Sequence, residues 1–478
     1  MPRNNVVNVR GMTDRNYFSQ DALPKLKTYF GRVVKGDPNV YDTPFAKGES
    51  TSDLLKAWNE VLVSINGTWP SLYEFEKDMA SKVGPLSVMK PLKDRLSDVE
   101  AYYDGILLPS RPISTSAIAA VRKEWSPVRG IWVRDARRTI ELMKKSTNSG
   151  SPFFAKRRNV ITETYPFELN HSPNGTTWQN LPHGSYKSCA VIGWRGQEGG
   201  PSKQDVKQRV VWMFPFAVNI AELQVYQPLI EAAQKFNLVP AWVSMEAVDS
   251  AITKLFDTKS SDDLIVCTDF TKFDQHFNSS LQKVAETLIG DIFNRSVDVW
   301  LDNIFPIKYD IPIMLDWDLA WGGKHGMASG SGGTNADETL AHRALQYEAA
   351  QLKGAKLNPN SQCLGDDGIL TYPGITVEDV VEAYQSHGLE MNTSKQYASN
   401  QDCVYLRRWH HVNYRIDGVC AGVYSTNRAL GRLRYLERYM DPDFWGPEAV
   451  ALRQLSILEN VKNHPLRDQF AEFCMKRD

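Results

Sequence analysis

Two groups of aspartates stand where they could bind divalent metal ions. Asp269 follows the apolar run 264–267, and Asp366 and Asp367 follow residues 362–364. Short apolar runs are typical of buried strands. Acids at neighbouring strand ends offer the oxygen ligands that Mg²⁺ prefers, and two such ions can activate an attacking hydroxyl and stabilise a leaving phosphate. We therefore expect Asp269 and Asp366 to bridge two Mg²⁺ ions, for which Mn²⁺ can substitute, with Asp367 as an auxiliary ligand or a field-setting charge.

Other residues around these acids could read a sugar. Asp274 lies beyond the end of the first strand, and Ser329 and Asn335 bracket a glycine-rich stretch. A carboxylate and an amide can together recognise a 2′-hydroxyl, which both donates and accepts a hydrogen bond. Each segment alone has a simpler explanation. Asp-Asp-Gly is a common exposed turn, and the Ser, Thr and Asn residues of 329–335 are good helix caps.

Composition indicates an ordinary globular protein with more than one lobe. The chain has 478 residues, 42% hydrophobic and 23% charged, with a formal net charge of -1. A chain of this length exceeds the size at which a single hydrophobic core keeps growing, so two or three lobes around a cleft are expected. The net charge does not favour a nucleic-acid partner, so any basic groove must be local. The six cysteines are not spaced as zinc ligands, so we expect them to be reduced thiols in the core. No apolar run is long enough to span a membrane.

The elements that must position these residues follow from hydrophobic periodicity. Helical spacing appears over 248–256, 281–292 and 334–350, and apolar arms around Asp366-Asp367-Gly368 predict a hairpin with the acids at its tip. Residues 186–204 are rich in glycine and basic side chains and precede the apolar run 210–216, which predicts a basic hairpin leading to a buried strand. No dinucleotide fingerprint or Walker-type loop is present, and His410-His411 has no partner at metal-ligand spacing.

Read together, the three segments resemble the palm motifs of viral RNA-dependent RNA polymerases. Those motifs are Asp-x4-Asp, Ser-Gly-x3-Thr-Asn and Gly-Asp-Asp in this order, and here they begin at Asp269, Ser329 and Gly365. The style of the motifs is most similar to polymerases of small double-stranded RNA viruses, the picobirnaviruses and partitiviruses. The resemblance implies an α+β right-hand fold with fingers, palm and thumb, in which an antiparallel palm sheet is backed by helices and the fingers are rich in helix.

The resemblance also implies boundaries and further site residues. Fingers are expected over 1–265, palm over 266–400 with a fingers insertion near 275–325, and the end of the palm with a small thumb over 401–478. The expected nucleotide-binding residues, besides those already named, are Thr334, Arg209, Lys203 and Lys207. A guanidinium suits bidentate phosphate contact, although the two lysines could be a solvated charge run. Lys395 is expected either to protonate the departing pyrophosphate or to act only as a counter-charge.

Several residues are expected by the same resemblance to contact RNA. Residues 146–152 resemble a template-entrance motif, and residues 404–409 resemble the hairpin that supports the primer, although a plain loop and a core role are the respective alternatives. The expected RNA contacts are Ser149, Gly150, Gly330, Tyr405 and Arg407. The implied partners are RNA template and product strands, ribonucleoside triphosphates and a viral capsid protein, without a membrane. The implied location is the host cytoplasm, inside the virus particle.

The resulting functional hypothesis is RNA synthesis on an RNA template. The alternative is a non-catalytic RNA-binding or capsid-associated protein with a polymerase-like shell. The intact set of Asp269, Asp274, Asp366 and Asp367 argues against that alternative, because a degenerate shell has no use for all four acids.

Overall fold

The structure is a computed structural model that describes residues 16–441 and 443–478. The amino-terminal part is helical: α1 (Leu23–Lys35), β1 (Tyr41–Asp42), α2 (Thr51–Leu62), α3 (Pro70–Lys82), α4 (Leu96–Asp104), α5 (Thr115–Glu124), α6 (Ala136–Leu142) and α7 (Ile161–Thr164). Strands and a long helix follow: β2 (Glu168–His171), β3 (Thr177–Leu181), β4 (Gly184–Lys187), β5 (Ala190–Gln197), β6 (Lys207–Met213), α8 (Phe216–Lys235), α9 (Pro240–Val243) and α10 (Met245–Thr258).

The second half alternates strands and helices. Its central part contains β7 (Ile265–Thr268), α11 (Phe273–His276), α12 (Ser279–Ile292), α13 (Asp298–Asn303), α14 (Ile307–Asp310), β8 (Ile313–Asp316), β9 (Leu319–Trp321), α15 (Thr334–Leu352), β10 (Gln362–Leu364), β11 (Asp367–Leu370) and α16 (Val377–Gln385). Its last part contains β12 (Tyr397–Ser399), β13 (Asp402–Tyr405), β14 (Arg408–His411), β15 (Val423–Tyr424), α17 (Thr426–Arg434), β16 (Tyr435–Leu436), α18 (Pro447–Glu459) and α19 (Arg467–Met475).

A four-stranded antiparallel sheet forms the centre of the molecule. Its strand order is β10-β11-β7-β12, and every neighbouring pair is antiparallel. Helices α12 and α15 lie against it, because their apolar faces share one core with Val266 of β7 and Leu370 of β11. The predicted mixed α and β architecture, the antiparallel sheet with helices behind it and the hairpin around Asp366 are all present.

The helix periodicity predicted from the sequence corresponds to α10, α12 and α15. Side chains cap two of these helices at their first turns: Ser244 accepts from the Ala247 amide, and Asn278 accepts from the amides of Ser280 and Leu281. These bonds satisfy backbone donors that have no partner inside a helix. Helix α15 begins directly after the glycine-rich stretch, so this stretch is held at a helix terminus.

A second four-stranded sheet combines distant parts of the chain. Its order is β6-β5-β8-β9, in which β5 pairs with β6 in antiparallel and with β8 in parallel. Residues 186–204 were predicted to form a hairpin by themselves, but they supply only the β5 arm, and the strand predicted to follow them is the other arm, β6. Residues 313–321 therefore join strands from the first half of the chain instead of the central sheet. Sequence periodicity did not predict this pairing, since it depends on a long-range contact.

The amino-terminal helices pack on the carboxy-terminal lobe. Strand β1 pairs with β16, and residues of α2 and α3 share a hydrophobic core with Trp409, Leu430 and Phe470. Part of the region expected to form fingers, residues 41–79, thus contacts the last lobe. All six cysteines are free and buried, as expected for core thiols. Within the described ranges, no helix combines the length and apolar character that crossing a bilayer requires.

Candidate active site

Strand register brings the aspartates to one end of the central sheet. Thr268 at the end of β7 is paired with Gly368 of β11, so the next residue, Asp269, lies level with Asp367. Asp366 lies in the turn between β10 and β11, at the same end. All three line a cavity of about 1570 Å³. The sequence placed these acids at strand ends, and antiparallel pairing of the two strands brings those ends together.

A glutamine holds the backbone of Asp269. The Asp269 amide donates to Gln396 Oε1 at 2.7 Å, and Gln396 Nε2 donates to the Asp269 carbonyl at 2.8 Å. Gln396 precedes β12, the strand paired with β7. Sequence reasoning missed Gln396, because its role depends on the pairing of two strands far apart in the chain.

The acids are crowded and partly withdrawn from water. Burial raises the pKa of Asp366, the Asp274 carboxylate raises it further, and Arg209 lowers it. Burial raises the pKa of Asp367 to about 7, which the Leu406 amide opposes by donating to Asp367 Oδ2 at 2.8 Å. Such shifts mark a place where negative charge is unfavourable without a nearby cation.

The donor set fits a hard divalent cation. The converging groups are carboxylate oxygens, which are Mg²⁺ ligands. In the described parts of the chain, no three acidic, histidine or cysteine side chains form a complete metal-binding group. Mg²⁺ is usually held by one or two carboxylates, while water and substrate phosphates supply its other ligands.

Asp274 is paired with Glu338, which the sequence analysis missed. Asp274 is in α11 and Glu338 in the first turns of α15, and their side chains are hydrogen-bonded to each other. Burial raises the pKa of Glu338 well above its usual range, and the charges of Asp274 and Asp366 raise it further. Glu338 Oε1 is buried with no hydrogen-bond partner among the described residues. The available sequence signal was an acidic residue on the same helical face as Thr334, one turn later.

Asn335 has a different environment from the one expected. It was expected to act beside Asp274, but its side chain is exposed and its Oδ1 accepts from Trp242 Nε1 at 2.7 Å. A Cβ on Gly365 would lie 3.7 Å from Asn335 Nδ2 and 3.5 Å from Glu338 Oε2. Both residues therefore border the turn that carries Asp366, and Glu338 is the one that contacts Asp274.

The glycine-rich loop 329–333 packs against β6 and α8. Ser329 Oγ donates to the Val210 carbonyl at 3.1 Å, and Thr334 Oγ1 donates to the carbonyls of Ala328 and Ser331, both at 3.2 Å. A Cβ on Gly330 would lie 1.5 Å from the Trp212 carbonyl oxygen, so only glycine allows this approach. The expected residues Ser329, Gly330 and Thr334 thus fix the loop at the edge of the site.

Buried charged residues support this loop from behind. The buried carboxylate of Glu222 accepts from Ser331 Oγ and from the Gly332 amide. One turn into α15, Asp337 accepts from Tyr226, from Tyr309 and from Lys308 Nζ, the last at 3.1 Å, and both Lys308 and Asp337 are fully buried. Buried charges require such pairing. Sequence reasoning missed this support as well.

Basic side chains line the same cavity as the aspartates. Arg209 and Lys207 are on β6, and Lys395 ends a short 3₁₀ turn before β12. Burial lowers the pKa of Lys207, and the neighbouring charges of Lys82, Arg407 and Arg209 lower it further. Lys203 lies on an exposed 3₁₀ turn outside the residues that line the cavity. The carboxylates therefore share this cavity with Arg209, Lys207 and Lys395, three of the four basic residues expected near the triphosphate.

Comparison with known proteins decides the family. A family model for viral RNA-dependent RNA polymerases matches residues 133–468. This chain belongs to the viral RNA-dependent RNA polymerase family. A potential RNA-dependent RNA polymerase of a human picobirnavirus (strain Human/Thailand/Hy005102/-) is 57% identical over 464 residues, which cover 95% of this chain and 85% of that protein.

Solved structures agree with this assignment. The crystal structure of a human picobirnavirus RNA-dependent RNA polymerase has a TM-score of 0.96 at 56% identity, covering 99% of this chain and 90% of that one. Its insertion-loop deletion mutant has the same TM-score and identity, with coverages of 99% and 93%. The right-hand fold and RNA synthesis on an RNA template, both expected from the motifs, are confirmed. As an enzyme of this family, the polymerase acts on RNA and nucleotides and uses divalent metal ions.

The structure places the expected RNA contacts of the polymerase in different environments. Arg407 lines the cavity and forms an ion pair with Glu198 at 3.2 Å. Ser149 and Gly150 are buried, and Gly150 has φ +61° with its Cα beside the Phe214 carbonyl. Tyr405 is only 1% exposed within a core that includes Cys267. The expected RNA contact of Tyr405 is therefore corrected: its ring packs in the core, which was the alternative.

Proposed function

We propose that this polymerase joins ribonucleotides by two-metal-ion catalysis with Asp269 and Asp366 as the shared ligands. The observation that carries the proposal is the register that sets both residues at one end of the β7–β11 pair. Two bound Mg²⁺ ions would supply the positive charge that activates the 3′-hydroxyl at the end of the growing strand and stabilises the departing pyrophosphate, and Mn²⁺ could substitute. Asp367 adds negative charge beside the metal site, and it holds the turn after β13 by accepting a hydrogen bond from the Leu406 amide.

The basic side chains that line the cavity have a complementary role in this proposal. Arg209 and Lys207 neutralise the triphosphate, and Arg209 is close enough to Asp274 and Asp366 to affect their pKa values. Lys395, which lines the same cavity, donates a proton to the leaving pyrophosphate in this proposal. Lys203 assists from outside the cavity by attracting the nucleotide. Arg407, which lines the cavity, contacts the RNA strands, whereas Gly330 and the buried Ser149 and Gly150 act only by holding the loops beside the cavity.

Substitution of Asp366 tests the metal proposal. Asp366→Ala should lower nucleotide incorporation by orders of magnitude and remove one Mn²⁺ from the ions counted by electron paramagnetic resonance with triphosphate present. Asp302→Ala is the matched control, because Asp302 is exposed and does not line the cavity. An Asp366→Ala enzyme that works at the parent rate, or that binds both ions, refutes the assignment.

Ribose selection is assigned to Asp274. Glu338 orients the Asp274 carboxyl group, while Ser329, Thr334 and Asn335 shape the wall around the sugar. A hydrogen bond to a charged group contributes about 1.5–3 kcal/mol, so Asp274→Ala should reduce the preference for ribonucleotides over deoxyribonucleotides by about 10- to 150-fold. The measurement is kcat/KM for a matched pair of nucleotides. An unchanged ratio rejects the role.

We further propose that the polymerase works in the virus particle in the host cytoplasm with capsid protein as its partner. The similarity to a picobirnavirus polymerase supports this proposal. Purified particles treated with protease should retain the polymerase, and loss of it while the capsid stays intact contradicts this location. The boundaries stay a prediction: fingers over 1–265, palm over 266–400 with a fingers insertion near 275–325, and the end of the palm with a small thumb over 401–478.

A further inference from the structure

A lysine lies in the wall of the catalytic cavity, on the turn that follows the metal ligand Asp269. Lys272 lines the cavity together with Asp269 and Thr271, and its side chain is exposed. Within the ranges that the structure describes, Lys272 forms no ion pair and its Nζ makes no hydrogen bond. A positive charge in the same cavity as the metal-binding carboxylates is thus left without a partner of its own.

The backbone of Lys272 has a conformation that does not suit lysine. Its φ of 52° and ψ of 58° lie in the left-handed region, which residues with a Cβ adopt rarely and glycine adopts freely. Asn and Asp are tolerated there because their short polar side chains can bond to the nearby backbone, but lysine has no such group. The turn itself therefore gives no reason for a lysine at this position.

Neighbouring contacts hold the turn in this conformation. The Thr271 amide donates to the Glu390 carbonyl at 2.9 Å. The amide and Nδ1 of His276 donate to the Lys272 carbonyl at 3.1 and 2.8 Å. Phe273, only 3% exposed, packs in the core shared by the central sheet and α12. A strained residue persists only where its surroundings fix it, so the lysine side chain is carried by a rigid turn.

Lys272 lies between the residues assigned to the two ends of the nucleotide. In the proposed function, Asp269 holds the metal ions that bind the phosphates, and Asp274 reads the ribose. Lys272 is the only basic residue in the segment from one to the other. Arg209 and Lys207, to which the triphosphate is already assigned, line the same cavity from β6. The cavity thus receives cations from two separate elements, β6 and the turn after β7.

We propose that Lys272 is a further nucleotide-binding residue, whose ammonium group donates to the β- and γ-phosphate oxygens of the incoming ribonucleoside triphosphate. This inference rests on the proposed function and extends it to the turn after β7. The α-phosphate is assigned to the metal ions and must stay open to in-line attack, so the added cation serves the other two phosphates. An ammonium group binds phosphate as a compact point charge and needs no fixed angle of approach.

Single-nucleotide incorporation on a preformed RNA duplex with a 5′ overhang tests the proposal. The variants are Lys272→Ala, which removes the ammonium group, and Lys272→Gly, which also relieves the left-handed backbone. The matched control is Lys254→Ala, because Lys254 is an exposed lysine of α10 that does not line the cavity. KM and kcat are measured for each ribonucleotide, together with RNA affinity, the Mg²⁺ concentration for half-maximal rate and the melting temperature.

Both variants should raise KM about tenfold or more for every ribonucleotide, with kcat within about threefold of the parent, because the lost bond is present before and during the reaction. Lys272→Gly should melt no lower than the parent. A Lys272→Gly enzyme with the parent KM refutes the proposal, since the backbone would then matter and not the charge. Unchanged KM with weaker RNA binding, or with a changed Mg²⁺ requirement, also refutes it and favours an RNA contact or a counter-charge. A parent enzyme that incorporates no ribonucleotide contradicts the proposed function itself.

Discussion

Replacing Gln396 with alanine should slow catalysis without unfolding the polymerase. The side chain makes two hydrogen bonds to the Asp269 backbone, at 2.7 and 2.8 Å. Each such bond contributes about 0.5–1.5 kcal/mol, so the loss should be about 1–3 kcal/mol, or roughly 5- to 150-fold in rate, if the bonds act by fixing the metal ligand. Gln396→Glu keeps the acceptor for the Asp269 amide but loses the donor and adds a negative charge.

Single-nucleotide incorporation at varied Mg²⁺ concentration is the assay. A misplaced Asp269 should raise the Mg²⁺ concentration needed for half-maximal rate, and high Mg²⁺ should partly restore Gln396→Ala. Gln401→Ala is the control, since Gln401 is exposed and nearby in the chain. The positioning argument is refuted if Gln396→Ala and Gln401→Ala have the same rate at every Mg²⁺ concentration, or if the lost activity follows a lowered melting temperature.

Three further predictions concern packing and pH. Buried Glu76 accepts from the amides of Thr426 and Asn427, and burial raises its pKa from 4.5 to about 7. The folded state therefore binds this proton more tightly than the unfolded state, so the group's contribution to the free energy of unfolding should fall by about 3 kcal/mol as pH rises from 4.5 to 7. Urea titrations at both pH values should show a smaller fall for Glu76→Gln. Gly330→Ala, whose Cβ would meet the Trp212 carbonyl, should cost about 1–3 kcal/mol of stability and most of the activity, whereas Gly31→Ala, with open space around it, should cost neither. Tyr405→Phe removes a buried hydroxyl without a partner in the described chain, so stability should stay the same or rise by up to about 1 kcal/mol, and RNA affinity measured by filter binding should not change.

The sequence predicted the parts of the site that depend on local patterns. Apolar runs ending in Asp269 and Asp366 indicated strand ends, and helical periodicity indicated α12 and α15. Motif order identified the family, which the family model and the picobirnavirus relatives confirm. These predictions succeeded because hydrophobic periodicity and turn preferences depend only on residues that are close together in the sequence.

Residues that act across long sequence separations could not be predicted in this way. Gln396 reaches Asp269 only after β12 pairs with β7, and Glu338 meets Asp274 only after α15 packs near α11. The side chain of Tyr405 points into the core, although an aromatic residue so near Arg407 and Arg408 could equally have faced RNA. In each case, tertiary packing decides which side of an element a residue occupies, and one sequence does not specify that packing.

The pairing of β1 with β16 has a consequence for synthesis of the chain. The Thr43 amide donates to the Arg434 carbonyl at 2.9 Å, and Trp58 of α2 donates to Thr426 at 2.7 Å. Helices α2 and α3 are therefore made early but must wait for almost the whole protein to be translated before their apolar faces are covered. A prematurely terminated product would leave Trp58 and its neighbours uncovered, so the cell's chaperones and proteases would recognise incomplete polymerase.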